Sequence, residues 1–171
     1  HQEYQESCTH GNEILEKYWK SESSRFKEVK NWEIEKSFYA QIDSVSLCGK
    51  IDKIEFTPDR KSGTIVDYKS GSPKPIKSSD RLWRQLVFYQ ILVEQSPSVR
   101  WKPTQTVLEF LSPHKSNGRF ERRSLKITED EKFQVINEIK EADQAIKDLQ
   151  FPMVENPNQD EEINYWQNFG R

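Results

Sequence analysis

"GKIDKIEF" (residues 49–56) and, eleven residues further on, "DYKSG" (67–71) decide the fold of this chain. Leading into and through the first stretch, Val45, Leu47, Gly49, Ile51 and Lys53 recur at every second position and share one strand face. "RKSG" (60–63) supplies a turn, and "TIVDYKS" (64–70) reads as the next strand. "NWEIEKSFYAQI" (31–42) is rich in strand-forming residues, so residues 32–69 read as an antiparallel meander with short connections. Asp52 is then a carboxylate inside an apolar strand. Asp67 and Lys69 close the following strand on one face, and Tyr68 points to the other.

Upstream, "YQESCTHGNEILEKYWK" (4–20) sets Ile14, Leu15, Tyr18 and Trp19 at helical spacing, which predicts an N-terminal helix over 2–20 that ends near "SESS" (21–24). Downstream, "GSPKPIKSS" (71–79) is a loop, and Ser79 or Asp80 can cap a helix through "RLWRQLVFYQILVEQ" (81–95). Apolar residues occupy most of that helix's circumference, which predicts burial. "TQTVLEFLS" (104–112) and "GRFERRSLKI" (118–127) read as a fourth and a fifth strand. Thr128 and Glu131 stand at capping-box spacing before a helix over about 128–149, and a polar tail covers 150–171. Helix, three strands, helix, two strands, helix implies an α/β sandwich around a mixed sheet, with the core at 31–127 and one domain over 1–171.

Nine Phe, six Tyr and five Trp argue for a folded domain despite the high charge. A net charge of -2 gives no global signal for nucleic acid, so local patches must carry that argument. Two cysteines, Cys8 and Cys48, make neither a disulfide framework nor a zinc pattern. The sequence lacks an apolar run of membrane-spanning length or a signal peptide, so a cytoplasmic protein with no membrane partner is expected. The chain opens on His1, which points to a piece of a longer protein.

The tripeptide [DE]-x-K alone says little, because five occur here, starting at Glu28, Asp59, Asp67, Asp130 and Glu138. Only the one at Asp67 ends an apolar strand. If the two strands pair antiparallel, Asp52 approaches Asp67, and two carboxylates converge beside the Lys69 ammonium. Such acids repel unless a cation neutralises them, which suits Mg²⁺ or Mn²⁺. Lys69 would orient or help deprotonate an attacking water, or offset charge on the transition state. The plainer reading is a cross-strand ion pair of little energetic value. Arg81, Gln85 and Tyr89 fall at i, i+4 and i+8 on the next helix, one stripe able to face the same cleft.

The ordered set "GKID", "IVDYKSG" and "QLVFY" resembles the G-x-x-D, D-x-K and Q-x-x-x-Y motifs of RecB-like nucleases, a branch of the PD-(D/E)XK superfamily. "GNEILEKYW" and "EIEKSF" are similar to segments that precede the core in nuclease domains at the C-terminus of UvrD/Rep-type helicases. The resemblance implies a restriction-endonuclease-like core, a mixed central sheet flanked by helices. It implies that Asp52, Asp67 and the Tyr68 carbonyl hold the metal, that Lys69 is catalytic, and that Gln85 and Tyr89 support the site and the DNA strand. Glu35 resembles the family's upstream acid, with Glu33 as the alternative. The helix histidine of RecB-like enzymes is replaced by Asn12, and His10, two residues earlier, is the substitute candidate ligand. An iron-sulfur cluster is excluded, because the four cysteines it needs are not there.

Between 60 and 84, Arg60, Lys61, Lys69, Lys74, Lys77, Arg81 and Arg84 face only Asp67 and Asp80, and Lys74, Lys77, Arg81 and Arg84 are the candidate phosphate contacts. Lys115, Arg119, Arg122 and Arg123 form a second basic group that reads as solvated surface. The expectation is a metal-dependent deoxyribonuclease domain acting on single-stranded or unwound ends. Its partner would be a helicase domain or subunit, in DNA repair or recombination at the nucleoid. The alternative is an inactive nuclease-like module that binds DNA or scaffolds a repair complex.

Overall fold

A computed structural model describes residues 2–77 and 80–150. In chain order the elements are α1 (Gln2–Glu28), β1 (Trp32–Ile42), β2 (Val45–Phe56), β3 (Ser62–Lys69), α2 (Arg81–Gln95), β4 (Lys102–Phe110), β5 (Arg122–Leu125) and α3 (Glu129–Lys147). The sheet runs β1-β2-β3-β4-β5. The first three strands form the expected antiparallel meander, β3 and β4 pair in parallel across the α2 connection, and β5 returns antiparallel. This is the α/β arrangement anticipated above, a mixed five-stranded sheet flanked by helices.

β4 sorts the two layers by simple alternation. Leu108 and Phe110 pack with Leu86 of α2, together with Ile76, Leu82, Tyr89, Leu125 and Ile127. Between them Glu109 turns the other way, to Tyr18 and Arg25 of α1. Leu86, Val87, Ile91, Leu92 and Val93 of α2 are all buried, each removal from water stabilising by about 1.5–3 kcal/mol.

α1 does not end at "SESS" but continues to Glu28. Serine is only mildly unfavourable inside a helix, and the extra turns gain tertiary contacts. Phe26 meets Tyr18 edge-on at 5.9 Å and stacks on Trp19 at 5.8 Å, and Arg25 reaches Glu109. β5 is shorter than expected, because residues before it turn back through Gly118 at φ 67°.

β2 departs from the expected single face. Its early residues Val45, Leu47 and Ile51 are buried, and a Cβ at Gly49 would stand 2.7 Å from Cδ2 of Leu92, so this part lies under α2. Lys53, which regular alternation places beside Gly49, instead covers the ring of Phe26 on α1. The change falls at Asp52, at the one position the β1–β2 register skips, opposite Glu35, which adopts a left-handed φ of 52° that breaks the extended backbone there.

Asp80 occupies the N-cap of α2 without capping it through its side chain; its Oδ2 accepts a 2.7 Å hydrogen bond from the Lys77 amide. Ser79 and residues 151–171 lie outside the described residues. The capping box of α3 forms: the Thr128 amide donates to Glu131 Oε2 at 2.8 Å, and the Glu131 amide donates to Thr128 Oγ1 at 3.3 Å. Replacing Thr128→Ala should lower stability by about 1 kcal/mol, read as a drop in Tm. By packing, a first compact unit ends at Asn137 and a second begins at Glu138, within α3. The helical part of the second unit carries the Lys147–Asp143 ion pair at 2.6 Å. Among the described residues no helix is long and apolar enough to cross a membrane.

Candidate functional site

The β2–β3 ladder supplies the site by stopping. Its last pair is Lys53↔Val66, which leaves Asp52 opposite Asp67 at the next position. There the Tyr68 amide donates to Asp52 Oδ2 at 2.8 Å, so a side-chain carboxylate replaces the main-chain acceptor. Asp52 is thereby pinned beside the D-x-K segment.

Asp67 is 2% exposed. Burial pushes its carboxyl above the ordinary aspartate value; Lys69 pulls it back, and the nearby Asp52 charge pushes it further up. Lys69 Nζ lies 2.8 Å from Asp67 Oδ2. This charge-assisted contact is on a buried oxygen that meets no other donor among the described residues. Lys69 Nζ also donates to Gln85 Oε1 at 2.8 Å, and Gln85 Nε2 donates to Tyr89 Oη at 2.9 Å. Burial raises the Tyr89 phenol, opposed by the Gln85 hydrogen bond and reinforced by Asp67 and Asp52. One chain of contacts therefore joins Asp67, Lys69, Gln85 and Tyr89, and α2 supplies the two neutral members.

Other residues singled out in the sequence lie around this centre or apart from it. Glu35 stands opposite Asp52 and pairs with Lys50, whereas Glu33 pairs with Lys36 and Arg60. His10 is exposed on α1. Among the described residues no group of three or more His, Cys, Asp or Glu gathers as a ready metal site. The carboxylate pair Asp52 and Asp67 still suits a divalent cation, because Asp67 Oδ2 is buried beside a second acid with the Lys69 ammonium as its one polar contact among the described residues. Lys74, Lys77, Arg81 and Arg84 are exposed, on the loop after β3 and the first turn of α2.

Half of the second basic group is the solvated surface expected: Lys115 and Arg119 are exposed, but Arg122 and Arg123 are not. Arg122 binds Glu55 and, at 3.0 Å, Glu109; Arg123 binds Glu121 and donates to the Lys74 carbonyl at 2.7 Å. Glu109 itself escaped notice in the sequence, although a lone acid in the apolar run "TVLEFL" (106–111) was the available signal.

A sequence profile of the PD-(D/E)XK nuclease superfamily matches residues 6–159. The chain belongs to this superfamily. Nuclease activity is what such membership implies, and PD-(D/E)XK nucleases generally use divalent metals such as Mg²⁺. No curated protein sequence matches the chain. A candidate exonuclease from Eubacterium rectale is similar in structure, with a TM-score of 0.50 and 15% identity, over 82% of this chain and 54% of that one. The protein SSO0001 aligns with a TM-score of 0.43 and 14% identity, over 84% of this chain and 64% of its own. The PD-(D/E)XK chain thus spans between half and two thirds of these two structures, and the first likeness concerns the fold.

Proposed function

We propose that this chain is a RecB-like deoxyribonuclease, a single nuclease domain over 1–171 that cleaves phosphodiester bonds with Mg²⁺ or Mn²⁺. The observation that carries the reading is the buried Asp67 carboxylate, lying beside a pinned Asp52 and in contact with an ammonium that Gln85 holds. Asp52 and Asp67, with the Tyr68 carbonyl, would hold the ion. Bound there, the ion supplies Lewis-acid polarisation of the phosphoryl group and acidifies water.

The residues of the chain do the rest. Lys69, fixed between Asp67 and Gln85, is aimed so that its ammonium offsets negative charge growing on phosphorus oxygens and orients the attacking water. Gln85 and Tyr89 keep that ammonium in place and offer polar edges to the strand. Lys74, Lys77, Arg81 and Arg84 follow along the exposed loop and helix start, and the loop is tied down through the Lys74 carbonyl and the Lys77 amide. A strand of DNA with its phosphates on these cations would reach Asp67 end-first or unwound, as a helicase domain or subunit would deliver it during repair or recombination in the cytoplasm.

Incubation with a labelled single-stranded oligonucleotide tests the reading. Cleavage is expected with Mn²⁺ or Mg²⁺ and none in EDTA. The double change Lys74→Ala, Lys77→Ala should reduce the slope of log affinity against log salt by about 1.4, the value for two single-strand phosphate contacts. Binding with intact salt dependence but no cut strand under any metal would establish the inactive DNA-binding module instead.

A further inference from the structure

Strand alternation gives the site a reverse side. Asp67 and Lys69 face one layer, while Tyr68 between them faces α1, where Glu109 is its register partner on β4. The Glu109 carboxylate is 1% exposed and takes hydrogen bonds from Tyr18, Arg25 and Arg122, the last at 3.0 Å. Arg25 also donates to Tyr18 Oη at 3.0 Å. Arg122 continues to Glu55, which holds Lys53 at 2.8 Å, and Lys53 directly follows Asp52. The Tyr68 phenol lies among these charges, close enough for Glu55, Arg25 and Arg122 to act on it.

Buried ion clusters cost desolvation and seldom add net stability, so one that survives calls for another role. Two strands of this cluster carry a site element one residue away: Lys53 beside Asp52 on β2, and Tyr68 beside Asp67 and Lys69 on β3. We propose that Glu109 is a positioning residue, which clamps α1 and β5 to the reverse of β3 and β4 and so holds the Tyr68 amide in line with Asp52. The inference rests on the nuclease reading for its metal arm alone; the clamp on the Tyr68 amide stands on the ladder geometry.

Amide hydrogen exchange of the metal-free, full-length chain by NMR tests it, with Mn²⁺ titration calorimetry alongside. In Glu109→Gln the Tyr68 amide should exchange about tenfold faster relative to the Ile54 amide, which faces β1 within the β1–β2 ladder, and Mn²⁺ should bind about tenfold more weakly. Tyr18→Phe removes only the phenol's two hydrogen bonds, to Glu109 and from Arg25, preserves folding if the charge neutralisation does not, and should show the same selective change at about threefold. Equal acceleration at Tyr68 and Ile54 with unchanged Mn²⁺ affinity would reduce the cluster to ordinary scaffolding and overturn the proposal. A parent chain that binds no Mn²⁺ would sink the nuclease reading, while the Tyr68 exchange ratio would still decide the clamp.

Discussion

Asp67→Asn should abolish strand cleavage, by about 10³-fold or more, and at the same time raise the Tm of the metal-free protein. The catalytic loss follows from removing one of two anionic ligands: about 4 kcal/mol of transition-state stabilisation corresponds to that factor. The gain in stability follows from the sign of the Asp67 shift. Its folded-state value is raised above the ordinary 3.8 by burial. Its contribution is therefore fully present below that ordinary value and is lost as pH rises through the elevated folded one. Above that elevated value the metal-free parent has lost it, and the asparagine variant has no such charge to bury. A Tm increase on the order of 3 °C is expected, matching about 1 kcal/mol in a domain of this size. Parent and variant should converge in acid. With Mn²⁺ added the order reverses, since only the parent gains from binding. Calorimetric melts at several pH values, with and without the ion, read all of this, and a parent that stays flat from acid to neutral pH would refute it.

Lys69→Met should separate metal binding from turnover. Loss of the ammonium leaves Asp67 buried beside an unfilled Gln85 carbonyl, and breaking a buried pair costs several kcal/mol. Lys69 remains 22% exposed, so a cost of about 2 kcal/mol is the better expectation for metal-free protein. Without the cation that pulled it down, the Asp67 carboxyl rises further, and the pH window over which stability is lost moves upward with it. Mn²⁺ affinity at neutral pH should persist, because a competing positive charge has gone. Cleavage should nevertheless fall by about 10²–10³-fold, as the loss of a single group acting on the transition state does. Single-turnover rates at saturating Mn²⁺, paired with calorimetric titration, distinguish this from Asp67→Asn, where both quantities fall. Undiminished turnover in Lys69→Met would remove the lysine from the chemistry.

The meander and the two helices that follow from 3.6-residue patterning were legible because each depends on local spacing. Asp52, Asp67, Lys69, Gln85 and Tyr89 were legible for a related reason: the ladder, one strand face and one helix stripe bring them together over short sequence separations. What escaped was set by distant partners. Arg25 and Glu109 are 84 residues apart, and Arg122 and Glu55 are 67 apart. Each of these ions, read alone, is indistinguishable from a solvated one. The extension of α1 through "SESSRFKE" (21–28) was hidden for the same cause, since Phe26 and Arg25 gain their worth only from the rings and acids they meet. The left-handed Glu35 carries no composition cue either, because glutamate rarely adopts that backbone.

Gly49 opens the "GKID" stretch, yet its hydrogen is what the fold uses: Leu92 occupies the volume a methyl would need. Anyone grafting the acid-acid-lysine set into another scaffold must therefore transplant a bare backbone position and the leucine seated against it. Copying the three charged side chains alone would hand the recipient a wedge between sheet and helix, and the borrowed carboxylates would sit out of reach of each other.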